Sequence, residues 1–241
     1  MASKTMTLDE LVSQLRQVHG ELLQAVVLYG SAASGEEITG ASDLNVLAIV
    51  AALDVDTLRS LGQTMRAWQE AGHPPVLEMT AAEWRSSADI FPMEYADILE
   101  RHRVLYGTLP LDGIAVSLSD LRLQVEQEAM GKLLRLRRSI MVAGTDRDRQ
   151  QELLRASLSS LLVIFRAVMR LHGEVPPRDG SQVIAAVSAR GGFDGAPYQR
   201  VAALKRGTAL AGGETEHVLE GYLSGMTALV GYLDTFGRAA P

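Results

Sequence analysis

The chain of 241 residues contains no cysteine, and this absence excludes several kinds of chemistry. Disulfide bonds, thiolate metal sites and cysteine nucleophiles all require the missing thiol. Long apolar runs are absent too, and because a membrane span needs roughly 20 apolar residues, the sequence predicts no membrane partner. The N-terminal segment shows helical periodicity rather than the apolar core of a signal peptide. We therefore expect a cytoplasmic protein.

Positive charge is also in short supply. Lys and Arg number 23 against 29 Asp and Glu, which gives a formal net charge of −6. This balance gives no reason to expect a broad polyanion-binding surface, so nucleic acid is not an expected partner. Apolar residues make up 47% and charged residues 22% of the chain, as in an ordinary globular protein that buries a core.

The hydrophobic pattern changes character near the middle of the chain. The first half alternates helical segments with short apolar runs typical of buried strands. These runs lie at residues 22–29, 44–50, 76–79 and 104–106. After a stretch with proline and glycine at 108–117, helical periodicity dominates. Long helices joined by short loops pack as a bundle, so the sequence predicts a half with strands and helices followed by an all-helical half.

One stretch, LYGSAASGEEITGASDLNVLAIV at residues 28–50, combines strand ends with polar residues. A strand ends at Gly30-Ser31, eleven residues intervene, and Asp43-Leu44-Asn45 then opens another strand. Because side chains alternate along a strand, we expect Asp43 and Asn45 on one face and Leu44 in the core. Gly30 lets a phosphate approach the backbone, and Ser31 adds a hydroxyl. A helix expected after Ser31 would direct N–H groups at an anion.

This pattern resembles the motif of the DNA polymerase β-like nucleotidyltransferase superfamily: an apolar strand, Gly-Gly or Gly-Ser, a spacer, and Asp-x-Asp on a strand. Gly30, Ser31 and Asp43 match the motif. The chain is most similar to small bacterial nucleotidyltransferase-domain proteins and to aminoglycoside nucleotidyltransferases, well over residues 8–107 and loosely beyond. The resemblance implies an α+β fold, with a nucleotidyltransferase-type mixed sheet and helices over residues 1–110 and a helical bundle over 111–241.

The resemblance also implies a reaction. In that superfamily, strand carboxylates hold Mg²⁺ ions, which bind a nucleoside triphosphate and activate an acceptor hydroxyl. It therefore implies nucleotidyl transfer from Mg-NTP to a hydroxyl of a small molecule or protein, with Gly30 and Ser31 at the nucleotide and Asp43 and Asn45 at the metal. Asn45 stands where the motif has its second Asp, and a neutral amide holds a divalent cation less well. A catalytically inactive binding or regulatory protein is the alternative.

The third metal-binding carboxylate of the superfamily has several candidates in this chain. Glu78, on the expected strand at 76–79, is the first choice. Glu94 and Asp97 are alternatives, at helical spacing i, i+3.

A general base is implied by the aminoglycoside enzymes, in which a Glu of the helical domain faces the active site. Glu126 is the candidate here and Glu128 is its alternative, acting within one chain or across the interface of a homodimer. Without the resemblance, their i, i+4 charge pattern indicates a solvated helix face.

Overall fold

The computed structural model describes residues 5–34, 44–211 and 213–237. The chain divides into two compact units, Met1–Ser117 and Leu118–Pro241. The first unit holds a four-stranded sheet with helices, and the second is all-helical. The predicted α+β fold class is confirmed.

The sheet has the strand order β3-β2-β1-β4 and is mixed. Its strands are β1 (Leu23–Tyr29), β2 (Asn45–Val50), β3 (Leu77–Thr80) and β4 (His102–Gly107). β1 runs antiparallel to both β2 and β4, whereas β2 and β3 are parallel. The two central strands are the most apolar segments of this unit, because both of their faces are covered.

Five helices accompany the sheet over the described part of the first unit. They are α1 (Leu8–His19), α2 (Val55–Ser60), α3 (Gly62–Glu70), α4 (Ala81–Ser86) and α5 (Pro92–Glu100). Thr7 and Thr80 begin α1 and α4 with capping boxes, in which each threonine accepts the N–H of a glutamate three residues on.

The two faces of the sheet bury separate cores. Val26, Val46 and Ala48 point to the face covered by α1 and α3, where they meet Leu15 and Trp68. The intervening strand residues point the other way, toward α4 and α5. This second core contains Val27, Leu47, Ile49, Met79, Trp84, Tyr95 and Ile98. Strand alternation therefore decides which helices each strand residue can meet.

The segment after β4 belongs to the first unit. Leu109 is buried, and Ile114 and Val116 pack against the core under α4 and α5. The Trp84 indole N–H donates to the Pro110 carbonyl at 2.7 Å. These contacts explain why the division falls at residue 117 rather than at 110.

The second unit is built around a long central helix. Its helices are α6 (Leu118–Ala143), α7 (Arg147–Leu171), α8 (Gly180–Gly191), α9 (Ala196–Lys205) and α10 (Glu214–Thr235). Phe165 of α7 packs against Tyr198, whose hydroxyl donates to the Tyr222 carbonyl at 2.9 Å. Across the described ranges of both units, no helix has the length and apolarity needed to cross a bilayer.

Candidate functional site

The turn after β1 is formed by Gly30. Its φ of +77° lies in the left-handed region that favours glycine. The Ala33 N–H donates to the Gly30 carbonyl at 3.1 Å, which closes a short 3-10 turn over Ser31–Ser34. Over the described residues, the helix expected after Ser31 is this single 3-10 turn. Asp43 and the side chain of Ser31 lie outside the described residues.

Two polar side chains border the open side of this turn. A Cβ atom added to Gly30 would lie 3.2 Å from Nδ2 of Asn45 and 4.0 Å from Oδ2 of Asp97. Asn45 is the first residue of β2 and pairs with Tyr29, directly before the glycine. Asp97 comes from α5. The structure therefore brings together Gly30, Asn45 and Asp97, and the missing glycine side chain leaves room between the last two.

A row of three residues crosses the sheet at the same level. Tyr29 pairs with Asn45 on one side and with His102 of β4 on the other. The Nδ1 atom of His102 is 2.7 Å from the carbonyl of Ile98 in α5. A carbonyl only accepts, so Nδ1 carries the hydrogen and the ring is held under the end of α5.

The carboxylates of α5 affect the pKa of Tyr29, the middle residue of this row. Burial raises the pKa of Tyr29 above its ordinary value, and the negative charges of Glu94 and Asp97 raise that pKa further. Asp97 is half-buried, whereas Glu94 is exposed. Tyr29 therefore keeps its proton at neutral pH, and its environment is acidic even without Asp43.

Glu78, the first choice for a third carboxylate, lies on the other side of the sheet from Asn45. It pairs with Ala48, which points to the α1 and α3 face, whereas Asn45 has the opposite parity. Oε1 of Glu78 is 3.4 Å from Nε2 of His19, and both side chains are buried. The pairing of β3 with β2 thus places Glu78 beside the end of α1, away from the Gly30 turn. Of the alternatives, Asp97 is the residue that reaches the Gly30 turn.

The start of β2 is fixed by a residue to which sequence reasoning gave no role. The Leu44 N–H donates to Nδ1 of His73 at 3.3 Å, and the His73 ring lies 4.2 Å from the Trp68 ring. Tyr29 and His102 were missed as well. Tyr29 could have been found from its place before Gly30, but the contact of His73 with the Leu44 N–H leaves no local signal, and His102 reaches Tyr29 only through the pairing of β4 with β1.

The side-chain oxygens around Gly30 are of the kind that bind a hard cation, but they are few. No group of three His, Asp or Glu side chains in the described ranges could hold a metal ion. Asp97 offers carboxylate oxygens and Asn45 an amide oxygen. Mg²⁺ commonly binds through one or two carboxylates, with water and substrate phosphates completing its shell. The residues present therefore fit Mg²⁺ as part of a site that a nucleotide would complete.

The two candidate bases of the helical unit lie on α6. Glu126 is half-buried and forms an ion pair with Arg122 at 2.9 Å, whereas Glu128 is exposed. Arg122 also donates from Nε to the Phe236 carbonyl at 2.8 Å, so the guanidinium that holds Glu126 is itself fixed. The catalytic role of Glu126 and the expected homodimer stay predictions.

Comparison with known proteins finds similar folds among solved structures. No protein-family model and no curated protein matches the chain. Among solved structures, the chain is similar to spectinomycin adenyltransferase AAD(9) from Enterococcus faecialis, solved with ATP and spectinomycin. The TM-score is 0.60 at 14% sequence identity, over 94% of this chain and 98% of that one. The chain has the fold of a nucleotidyltransferase.

Proposed function

We propose that this protein is a nucleotidyltransferase that binds a Mg²⁺-bound nucleoside triphosphate at the Gly30 turn. The observation that carries the proposal is the meeting of Gly30, Asn45 and Asp97 at the end of β1, within a fold shared with an adenyltransferase. A left-handed glycine, which has no side chain to shield its backbone, suits a phosphate, and the nearby carboxylate suits the cation that accompanies it.

Nucleotidyl transfer in this site would join an acceptor hydroxyl to the α-phosphorus. The oxygen–phosphorus bond to the acceptor forms, the bond to the β-phosphate oxygen breaks, and pyrophosphate leaves with the electron pair. The acceptor's proton goes to a base, for which Glu126 is our candidate. Mg²⁺, when bound, would neutralise phosphate charge. Asp43 and Asp97 would hold it with help from Asn45, and Ser31 would contact the phosphates.

The acceptor we propose is a small molecule that carries a hydroxyl. Support comes from the neighbour, which was solved with spectinomycin as well as ATP. The reaction is open to a direct assay, in which [α-³²P]ATP, Mg²⁺ and spectinomycin or related polyols are incubated with the protein. Label transferred by the wild type and lost in Asp43→Ala supports the enzyme, whereas no transfer to any acceptor supports the binding or regulatory alternative.

The decisive test of the site itself is binding of ATP with Mg²⁺ to the wild type and to Asn45→Asp. If Asn45 contributes to the metal, restoring a carboxylate tightens binding by about tenfold, because a charged oxygen replaces a neutral one. Glu78→Gln, on the opposite face of the sheet, is the matched control and leaves the affinity unchanged. If Asn45→Asp weakens ATP binding, Asn45 donates to a phosphate instead. No measurable binding to either protein at millimolar ATP would overturn the proposal.

A further inference from the structure

The outer face of α6 carries large apolar side chains that no part of the described chain covers. Leu123 is 64%, Met130 42%, Leu134 43% and Met141 75% exposed. Single exposed apolar residues are ordinary, but an extended apolar surface on a folded domain marks an interaction site. We call these four residues the α6 stripe.

The four residues lie along one line of the helix. Their spacings of seven, four and seven residues correspond to rotations of about 700°, 400° and 700° at roughly 100° per residue, so the four side chains stay within about 40° of one another. The line runs for about 27 Å, at 1.5 Å per residue over 18 residues. Buried residues of α6, among them Val125 and Leu136, occupy the opposite side and face the bundle. The stripe is therefore a straight apolar seam on the outside of a helix whose inside is already packed.

Charge along α6 is strongly divided. From Leu118 to Met130 the helix holds three acidic residues and one basic residue, whereas from Gly131 to Ala143 it holds four basic residues and no acidic one. The four basic residues are Lys132, Arg135, Arg137 and Arg138. If two such helices packed side by side in parallel, the four basic residues of one would face the four basic residues of the other. Antiparallel, the acidic half of each would face the basic half of the other.

The stripe has the symmetry that an antiparallel pair of identical helices requires. Leu123 and Met141 lie nine residues on either side of position 132, and Met130 and Leu134 lie two residues on either side. A two-fold axis at that level sets Leu123 against Met141 of a second copy and Met130 against Leu134.

We propose that α6 pairs with α6 of a second copy of this chain, antiparallel and centred near residue 132, through the α6 stripe. The occupant is a second copy rather than an unrelated protein because both the apolar spacing and the division of charge are self-complementary. The inference does not depend on the proposed nucleotide site.

Light scattering after size-exclusion chromatography measures the assembly directly. We expect a molar mass of twice 26.0 kDa for the wild type at about 50 µM. The double variant Met130→Glu/Leu134→Glu should be monomeric at the same concentration, because it buries four carboxylates in the seam. Val175→Glu is the control, since Val175 is 76% exposed but lies outside α6, and it should stay dimeric. A monomeric wild type, or a Val175→Glu variant as monomeric as the stripe variant, would overturn the proposal.

The direction of pairing can be tested because the chain has no cysteine. Leu123→Cys and Met141→Cys are prepared separately, mixed and oxidised. Antiparallel pairing predicts a disulfide-linked dimer in the mixture and very little in either variant alone, because residues 123 of the two copies would be about 27 Å apart. A dimer that cross-links as readily in Leu123→Cys alone would refute the antiparallel arrangement. Circular dichroism of every variant verifies that α6 is folded.

Discussion

Two carboxylates lie on opposite faces of the same sheet and have different surroundings. Glu78 is enclosed under α1, with Oε1 3.4 Å from Nε2 of the buried His19. Asp97 borders the Gly30 turn beside the amide of Asn45, at a place where the backbone carries no side chain. An enclosed acid with a basic partner is part of the packing, whereas we propose that the acid beside the Gly30 turn meets a ligand. The face of the sheet, rather than proximity in sequence, separates the two roles.

Filling the Gly30 turn should have the largest effect. In Gly30→Ala the new Cβ lies 3.2 Å from Asn45 at a φ of +77°, so we expect MgATP binding to fall by more than about tenfold and the free energy of unfolding by about 1–2 kcal/mol. Isothermal titration calorimetry and urea denaturation measure both. Gly72→Ala is the matched control, with φ of +92° and nothing within 4 Å of the added Cβ. It should lose similar stability and keep its affinity; a parallel loss of affinity would show that strain alone is responsible.

Neutralising Asp97 should weaken nucleotide binding at little cost in stability. We expect Asp97→Asn to reduce MgATP affinity by about tenfold, because a charged oxygen beside the turn is lost while the side-chain volume is kept. Glu100→Gln removes a charge from an exposed position of the same helix and serves as the comparison. Equal affinities for the two variants would remove Asp97 from the site.

Removing Glu78 should have the opposite effect: stability should fall and nucleotide affinity should stay the same. Glu78→Leu leaves His19 buried without its partner, so the free energy of unfolding should fall by about 2–4 kcal/mol while the folded protein binds MgATP as before. Adding His19→Leu should recover part of the loss, because two apolar residues can replace a buried pair. Chemical denaturation of the two variants measures this. A Glu78→Leu protein with normal stability and impaired ATP binding would return Glu78 to the nucleotide site.

The smallest expected effect is on the acidity of Tyr29. The pKa of Tyr29 is raised by burial first and by Glu94 and Asp97 second, so Asp97→Asn should lower it only partly. It should remain above the ordinary value of 10.0. A ¹³C-tyrosine NMR titration between pH 8 and 12 follows this group, and Glu78→Gln should leave its titration unchanged. A return to the ordinary value in Asp97→Asn would mean that charge, not burial, dominates at this end of β1.

The sequence predicted most of the fold because its signals are local. The apolar runs at 22–29 and 44–50 became β1 and β2 with shifts of one residue, and the helical half followed its periodicity. The same local spacing singled out Gly30 and Asn45, which the structure places side by side. The side of the sheet taken by Glu78 could not be found this way, because β3 has only four residues and its face is set by pairing with β2. His73 and His102 could not be found either, because His73 contacts an amide N–H 29 residues away and His102 meets Tyr29 only through the pairing of β4 with β1.

The N–H of Leu44, directly before β2, donates to the Nδ1 lone pair of His73. The start of β2 therefore depends on a side chain from a distant segment. This lone pair can accept only one hydrogen bond. A side chain at position 73 without this acceptor would leave the Leu44 N–H unpaired, and the chain would enter β2 without this tether. The start of β2 is thereby coupled to the ring of a residue that lies between α3 and β3.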